Sequence, residues 1–137
     1  MSLILDSSAT LAWIYNDEIT RAIRQVFDIV TNSTAWVPVI WPLEVANSLE
    51  TAVRKGRIKA SFRDATLADL AAINIKIDEE TNVHAWSTTL KLAQKFNLTL
   101  YDAAYIELAQ RKDLPLASLD QDLRKAAKAV HITLLGI

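Results

Sequence analysis

Four carboxylates lie where this chain passes from a predicted strand or extended segment into a predicted helix. Asp6 directly follows one short apolar run, and Asp120 closely follows another. Glu44 and Asp102 fall in the first turn of helical patterns. Clustered carboxylate oxygens are the ligands that Mg²⁺ and Mn²⁺ prefer, and such a cation can activate water for hydrolysis. The chemistry therefore depends on whether these four side chains meet.

Helix capping is the alternative explanation for each of these acids taken alone. Aspartate is a common N-cap residue, and the helix dipole favours acids in the first turn. Thr99 followed by Asp102 three residues later resembles a capping box. Capping does not require the acids to converge, whereas packed carboxylates repel one another and need a proton or a cation. The pattern alone leaves both explanations open.

The elements that would position these acids alternate between strand and helix. Short apolar runs predict strands covered on both faces, and spacings of three and four predict helices between them. Such alternation indicates a largely parallel sheet with helices on both faces, where ligand sites form beyond the carboxyl ends of the strands. Helices outnumber strands, which predicts crossovers that contain two helices. The predicted strands are Leu3–Leu5, Trp36–Val39, Ile75–Ile77, Leu116–Ser118 and Ile132–Leu135. The predicted helices are Ser8–Tyr15, Ile19–Val30, Pro42–Lys55, Ala60–Ile73, Glu80–Phe96, Tyr101–Arg111 and Gln121–Ala129.

Length and composition exclude several classes of protein. A chain of 137 residues suits one domain, which we expect to span residues 1–137. The absence of cysteine excludes disulfides, thiolate nucleophiles and cysteine-bound zinc. Two distant glycines, Gly56 and Gly136, cannot form a phosphate-binding loop or a dinucleotide fingerprint. A net charge of −1 indicates no global basic field, although a local patch could still contact nucleic acid.

No segment has the pattern of a membrane span or a signal peptide. The apolar stretch around Val37 to Leu43 is too short to cross a bilayer and contains two prolines. We therefore expect a cytoplasmic protein with no membrane partner.

Four ordered motifs resemble the PIN-domain family, in particular the VapC-like toxins of toxin–antitoxin pairs. They are LILDSSATLAW, WPLEVANSL, LYDAAYIELAQ and LASLDQDLRKAA, and together they span nearly the whole chain. The resemblance implies a three-layer α/β/α sandwich with a five-stranded, mainly parallel sheet. It also implies an endoribonuclease that depends on Mg²⁺ or Mn²⁺, acts on RNA, is neutralised by a cognate antitoxin and forms a homodimer.

The resemblance assigns the catalytic and metal-binding roles to an acidic quartet, which is Asp6, Glu44, Asp102 and Asp120. Asp122 is a further possible ligand, because the DQD segment offers two acids. The family positions that support the quartet fall on Ser7, Ser8, Asn47 and Ser118. Water would attack phosphorus in line with the 3′ oxygen and leave a 5′-phosphate and a 3′-hydroxyl.

Two basic groups are candidates for contact with the RNA backbone. They are Arg54, Lys55, Arg57, Lys59 and Arg63 in the segment RKGRIKASFR, and Arg124 with Lys125 shortly after Asp120. The pattern favours a simpler explanation for each group, a solvated helix end for the first and a polar helix face for the second. His84 and His131 lie away from the quartet motifs, so we predict packing or surface roles for both.

Two other functions remain as alternatives. One is a catalytically silent PIN-like module that binds RNA or protein. The other is a receiver-like domain that binds Mg²⁺ and accepts a phosphoryl group. The second lacks paired acids after the first strand and a lysine directly after PLASLD, which argues against it.

Overall fold

The computed structural model describes residues 1–137. Five parallel strands form one sheet, as predicted, and their order in the sheet is β3-β2-β1-β4-β5. Parallel pairing joins Ile4 of β1 to Trp36 of β2 and to Leu116 of β4. The first strand is therefore central and completely buried. The strands are β1 (Leu3–Leu5), β2 (Ala35–Val37), β3 (Ile75–Ile77), β4 (Leu116–Ala117) and β5 (Leu134–Leu135).

Eight α-helical segments surround this sheet. They are α1 (Ser7–Ile14), α2 (Arg21–Asn32), α3 (Trp41–Arg54), α4 (Ala60–Ala72), α5 (Thr81–His84), α6 (Leu90–Phe96), α7 (Leu100–Lys112) and α8 (Gln121–Ala129). Contacts join α1 with α2 and α3, and α3 with α4, whereas α7 contacts α5, α6 and α8. Right-handed crossovers put these two groups on opposite faces of the sheet. The three-layer α/β/α architecture is thus confirmed.

One predicted helix differs from the structure. The pattern predicts a single helix over Glu80–Phe96, but α5 and α6 are separated by a π-helical segment, Ala85–Thr89. A π segment adds a residue to the turn and shifts the exposed face. Side-chain spacing does not report this change, because both helical forms keep apolar residues three to five positions apart.

The ends of several predicted strands and helices also move by one or two residues. Strand β2 ends at Val37 because Pro38 follows it and has no amide hydrogen to donate to a neighbouring strand. Helix α2 begins at Arg21, because the Thr20 hydroxyl oxygen accepts a hydrogen bond from the amide of Ile23 and caps the helix. Local capping and proline chemistry explain both shifts.

The core contains one helix that is buried on almost every side. Residues 103–109 of α7 are all buried, and α7 packs against β1, α6 and α8. A helix buried all round occupies the interior of a fold rather than its surface. Two polar side chains in this buried stretch, Tyr105 and Glu107, consequently need partners inside the protein. No helix combines the length and the hydrophobicity needed to span a bilayer.

The end of α3 contains a glycine that a side chain would strain. Gly56 has φ +74°, the amide of Gly56 donates to the carbonyl of Val53, and the amide of Arg57 donates to that of Ala52. This is a Schellman C-cap, which favours glycine at the left-handed position. A Cβ at Gly56 would meet nothing within 4 Å. Any cost of a substitution there is therefore a cost of backbone conformation.

We expect Gly56→Ala to lower the free energy of unfolding by about 1 kcal/mol, because alanine is disfavoured in the left-handed region. Urea unfolding followed by circular dichroism measures this change. Gly56→Asn is the matched control, since asparagine tolerates that conformation and should lose less. Equal free energies of unfolding for the parent protein and Gly56→Ala would contradict the conformational explanation.

Candidate active site

Asp6 lies at the carboxyl end of the central strand and begins α1. Its Oδ1 accepts a hydrogen bond from the amide of Ala9 at 2.9 Å, so Asp6 is the N-cap of this helix. Its own amide donates to the carbonyl of Ala117 in β4 at 3.1 Å. The capping explanation is therefore correct for Asp6, but capping uses only one of its carboxylate oxygens.

Two serine hydroxyls connect Asp6 to the end of β4. Ser118 Oγ donates to Asp6 Oδ2 at 2.5 Å and accepts from the amide of Asp120 at 3.1 Å. Ser8 Oγ donates to Asp6 Oδ1 at 2.7 Å and accepts from the amide of Leu119 at 2.9 Å. Each hydroxyl both donates and accepts, so the ends of β1 and β4 are held together around one carboxylate.

The Asp6 side chain is costly to ionise where it lies. Asp6 is only 3% exposed. Burial, with a smaller contribution from the negative charge of Asp120, raises the pKa of Asp6 to about 6, even though hydrogen bonds from Ser118, Ala9 and Ser8 act to lower it. A strongly perturbed acid in a cluster of acids is a frequent property of functional sites.

Glu44 reaches the same region from the first turn of α3. Tyr105 Oη donates to Glu44 Oε1 at 2.6 Å across 61 residues of sequence. Burial raises the pKa of Glu44, and the charge of Asp102 acts in the same direction. The sequence motifs did not single out Tyr105. The signal was its position three residues after Asp102, which puts both on one face of α7.

Asp102 links the other acids electrostatically. It is half-buried, and burial raises its pKa together with the negative charges of Asp120 and Asp122. The amide of Asp102 donates to Thr99 Oγ1 at 3.1 Å, which confirms the predicted N-cap of α7. The charge of Asp102 thus acts to raise the pKa of Glu44, and the charge of Asp120 acts to raise the pKa of both Asp102 and Asp6. The four acids form one connected set of repelling charges.

The arrangement of these acids is open rather than a closed metal cage. Nowhere in residues 1–137 do three or more histidine, aspartate or glutamate side chains lie close enough together to hold a metal ion as they stand. Three of the acids accept hydrogen bonds from groups within the chain. Asp6 accepts from Ser118, Glu44 accepts from Tyr105, and Asp120 accepts from the amide of Leu123. The donor set nevertheless fits a hard divalent cation, because it consists of carboxylate oxygens whose mutual repulsion a cation would relieve.

The remaining predicted acid and supporting residues differ in how closely they join this set. Asp120 and Asp122 are both exposed, and Asp120 caps α8 through a bond from the Leu123 amide at 2.8 Å. Ser7 is partly buried, and Asn47 is exposed on α3 one turn after Glu44. Neither Ser7 nor Asn47 has a side-chain hydrogen bond to the acids, unlike Ser8 and Ser118.

The first basic group lies at the far end of α3. Ten residues separate Glu44 from Arg54, which corresponds to about 15 Å along the helix. Three of its arginines are paired with acids: Arg54 with Glu50, Arg57 with Glu18, and Arg63 with Glu50 and Asp64. Lys55 and Lys59 are exposed and have no ion pair. Much of this group is therefore used in contacts within the chain.

The second basic group is divided between a structural and an exposed residue. Arg124 Nη1 donates to the carbonyls of Ser118 and Leu135 at 2.7 and 3.0 Å, so it supports the ends of β4 and β5. Lys125 is exposed and has no ion pair. It follows Asp120 by five residues on the same helix. Only Lys125 in this group has an ammonium that is free for a ligand.

A second group of buried charged side chains, built around Arg111, was not predicted from the sequence. Asp78 and Glu107 are 2% and 4% exposed, and both pair with Arg111 on α7. Arg111 bonds Asp78 through both terminal nitrogens, at 2.5 and 3.1 Å, and bonds Glu107 through Nε at 2.8 Å. Glu107 and Arg111 are four residues apart on one helix, a spacing that predicts an ion pair. The contribution of Asp78 from a distant loop gave no such signal.

The comparisons with known proteins agree with this fold. The PIN domain family model matches residues 3–129. The curated protein Ribonuclease VapC3 of Pyrobaculum aerophilum is 30% identical over 139 aligned positions, covering 95% of this chain and 98% of that protein.

Solved structures share the architecture at lower identity. A crystal structure of another Pyrobaculum aerophilum protein matches with a TM-score of 0.71 and 20% identity, covering 98% of this chain and 83% of that one. A toxin–antitoxin complex from Klebsiella pneumoniae matches with a TM-score of 0.57 and 18% identity, covering 88% of each chain. Sheet order, helical layers and the match over residues 3–129 together lead to one assignment. The chain belongs to the PIN domain family.

Proposed function

We propose that this protein is a divalent-metal-dependent endoribonuclease toxin, a hydrolase that is neutralised by a cognate antitoxin. The observation that carries the proposal is the connected acidic set, which includes the buried Asp6, in a chain 30% identical to Ribonuclease VapC3. Asp6, Glu44, Asp102 and Asp120 would hold Mg²⁺ or Mn²⁺, and Asp122 is a further possible ligand. A bound cation of this kind would supply Lewis-acid chemistry, neutralising phosphate charge and favouring attack by water.

The residues of the chain prepare this site in three ways. Ser8 and Ser118 hold the Asp6 carboxylate in one orientation through their hydroxyls. The carboxylates concentrate negative charge at the edge of the sheet, which favours a cation there. The exposed position of Asp120 leaves the acidic set open to a large substrate, as a polynucleotide requires.

Contact with the RNA backbone is best supplied by lysines without intramolecular partners. Lys125 is the basic residue of this kind nearest in sequence to the acids, and Lys55 with Lys59 extends the basic surface at the end of α3. Phosphate contacts of this type hold RNA without selecting its sequence. Arg54, Arg57, Arg63 and Arg124 would have to give up contacts within the chain before binding phosphate.

An antitoxin partner and a homodimer belong to the same proposal. The Klebsiella pneumoniae protein with this fold is part of a toxin–antitoxin complex. Exposed apolar side chains are available for such contacts, among them Leu43, Val83 and Trp86, which are 67%, 70% and 92% exposed. Location in the cytoplasm, where RNA and an antitoxin would be met, completes the proposal.

The test is cleavage of total RNA by the purified protein with Mn²⁺ or Mg²⁺ added. We expect cleavage that EDTA stops and that added Mn²⁺ restores, with 5′-phosphate and 3′-hydroxyl ends on the products. Gel analysis and end-labelling measure both results. Cleavage that persists in EDTA, or products with a cyclic phosphate end, would contradict hydrolysis by a metal-dependent site.

A catalytically silent binding module is the second candidate. It is favoured by the absence of any three acids close enough together to hold a metal as they stand. In that case RNA or a protein partner would bind without cleavage, and Mn²⁺ would have no effect on RNA length. The receiver-like alternative loses its support, because the chain belongs to the PIN domain family.

A further inference from the structure

Glu44 is held in the acidic set by a single side-chain hydrogen bond. The donor is Tyr105 Oη, 2.6 Å from Glu44 Oε1. No lysine, arginine or histidine pairs with Glu44, and no other side chain donates to it. The second oxygen, Oε2, has no side-chain donor. The position of this carboxylate therefore depends on one phenol.

Tyr105 itself is fixed more firmly than the acid that it contacts. It is 1% exposed and belongs to the buried stretch of α7 that packs on β1. Burial raises the pKa of Tyr105, and the negative charges of Glu44, Asp6 and Asp102 act in the same direction. A rigid donor of this kind can select one orientation of Glu44 at little entropic cost.

The chain treats its other buried acids differently, and the contrast is informative. On the same helix, Arg111 neutralises Asp78 and Glu107 with a guanidinium that bonds both carboxylates. An acid held by a cation is already compensated and has little affinity for a metal ion. A neutral phenol orients Glu44 but leaves its negative charge in place. The choice of tyrosine over a basic residue therefore keeps Glu44 available for a cation.

We propose that Tyr105 is a positioning residue that holds Glu44 in the orientation needed to bind a divalent cation. This inference rests on the proposed function, because it assumes that the acidic set binds such a cation. Tyr105 contacts no reacting atom and acts only through Glu44. Its hydroxyl directs Oε1 into the protein and leaves Oε2 for the ion.

The first test is the Mn²⁺ affinity of Tyr105→Phe, measured without RNA by calorimetry or by electron paramagnetic resonance of free Mn²⁺. We expect the dissociation constant to rise about 10- to 100-fold, the usual effect of removing a group that orients a metal ligand. RNA cleavage should show a lower kcat with little change in KM. Tyr101→Phe is the matched control, since Tyr101 lies on the same helix, is 60% exposed and should leave both quantities unchanged.

A double-mutant cycle separates positioning from a general structural effect. In a Glu44→Gln background, Tyr105→Phe should weaken Mn²⁺ binding by less than about twofold, because the carboxylate that Tyr105 orients is gone. An equal loss in both backgrounds would overturn the inference. So would a Tyr105→Phe protein that binds Mn²⁺ normally. Should Tyr105→Phe fail to fold, Glu44→Asp replaces it, because the shorter aspartate side chain cannot both keep the hydrogen bond to Tyr105 and extend as far towards a cation. Unchanged Mn²⁺ affinity in Glu44→Asp would also overturn the inference.

The same measurements distinguish this inference from the proposed function. A parent protein whose Mn²⁺ affinity depends on Tyr105 and Glu44, but which cleaves no RNA, would overturn the proposed nuclease activity and keep the positioning role. Cleavage of RNA that is insensitive to Tyr105→Phe would keep the nuclease and overturn the positioning role. A parent protein that binds no Mn²⁺ would overturn both.

Discussion

Asp6→Asn is expected to reduce metal-dependent RNA cleavage about 100-fold or more while the chain remains folded. Loss of a group that only orients a ligand costs about 10- to 100-fold, and Asp6 is itself a proposed ligand in the acidic set. Asparagine keeps the size of the side chain and one oxygen acceptor for the Ser118 hydroxyl. Initial rates on a labelled RNA, with saturating Mn²⁺, measure the effect.

The same substitution should stabilise the protein in the absence of metal at pH 7. Chiefly because of burial, the pKa of Asp6 is raised from its ordinary value of 3.8 to about 6, so the folded state binds a proton more tightly than the unfolded state. Stability from this group is therefore present at low pH and is lost as pH rises from about 4 to about 6. Removing the charge should recover about 1–2 kcal/mol, after the loss of one acceptor oxygen is subtracted.

Asp17→Asn is the matched control for both measurements. Asp17 is exposed in the short 3₁₀ helix after α1, outside the acidic set. It should change neither cleavage nor the free energy of unfolding. An Asp6→Asn protein that cleaves RNA at the parental rate would remove Asp6 from the proposed site. Strong destabilisation at pH 7 would show that its role is chiefly to join β1 with β4.

Arg111→Met should produce the largest loss of stability, about 3–5 kcal/mol, without touching the proposed active site. It leaves two nearly buried carboxylates, Asp78 and Glu107, without a compensating charge. Breaking a buried ion pair from one side costs this much because the remaining charge stays desolvated. Urea unfolding at pH 7 measures the difference.

The pH dependence of this difference identifies its cause. Burial opposes ionisation of Asp78, but hydrogen bonds from Arg111, Glu80 and Thr81 prevail and lower its pKa. In the parent protein, ionised Asp78 contributes stability that is fully present above the ordinary pKa of an aspartate. This stability is lost only as the pH falls through the lowered pKa of Asp78. Without Arg111 the buried acid should prefer its proton. The variant should therefore gain stability relative to the parent as pH falls from 7 to 4.

Lys112→Met is the control for this second prediction. Lys112 is the next residue, and its ammonium lies 3.7 Å from the ring centre of Trp36 without joining the buried acids. Its loss should cost about 0.5–1 kcal/mol, as expected for a partly exposed cation–π contact. Two results would contradict the account of a buried charge cluster. One is an Arg111→Met protein that loses no more stability than Lys112→Met. The other is a stability difference between the parent protein and Arg111→Met that is as large at pH 4 as at pH 7.

The sequence by itself determined most of the fold. Short apolar runs between helical patterns predicted all five strands and their parallel arrangement, because burial on both faces of a parallel sheet leaves few polar positions. Capping chemistry was equally local. Gly56, Thr99 and Asp120 end or begin helices as their residue types predict. The span of one domain over residues 1–137 stays a prediction.

The candidate site divides between sequence and tertiary structure. Residue types identified the acids, since each follows a strand or opens a helix, and the family resemblance named them as a set. Their mutual arrangement was decided by contacts between distant segments, such as Asp6 with Ser118 and Glu44 with Tyr105. The assignment of roles to the acids remains a prediction that the substitutions above test.

Only tertiary structure separated the two kinds of buried acid in this protein. Asp78 and Glu107 meet a guanidinium, whereas Glu44 meets a phenol and Asp6 meets two hydroxyls. The charge of a carboxylate in the interior depends on the group that packs against it, and that group comes from another part of the chain. Sequence spacing reports which acids share an element, but the desolvation and the partner of each acid arise only when the elements pack together.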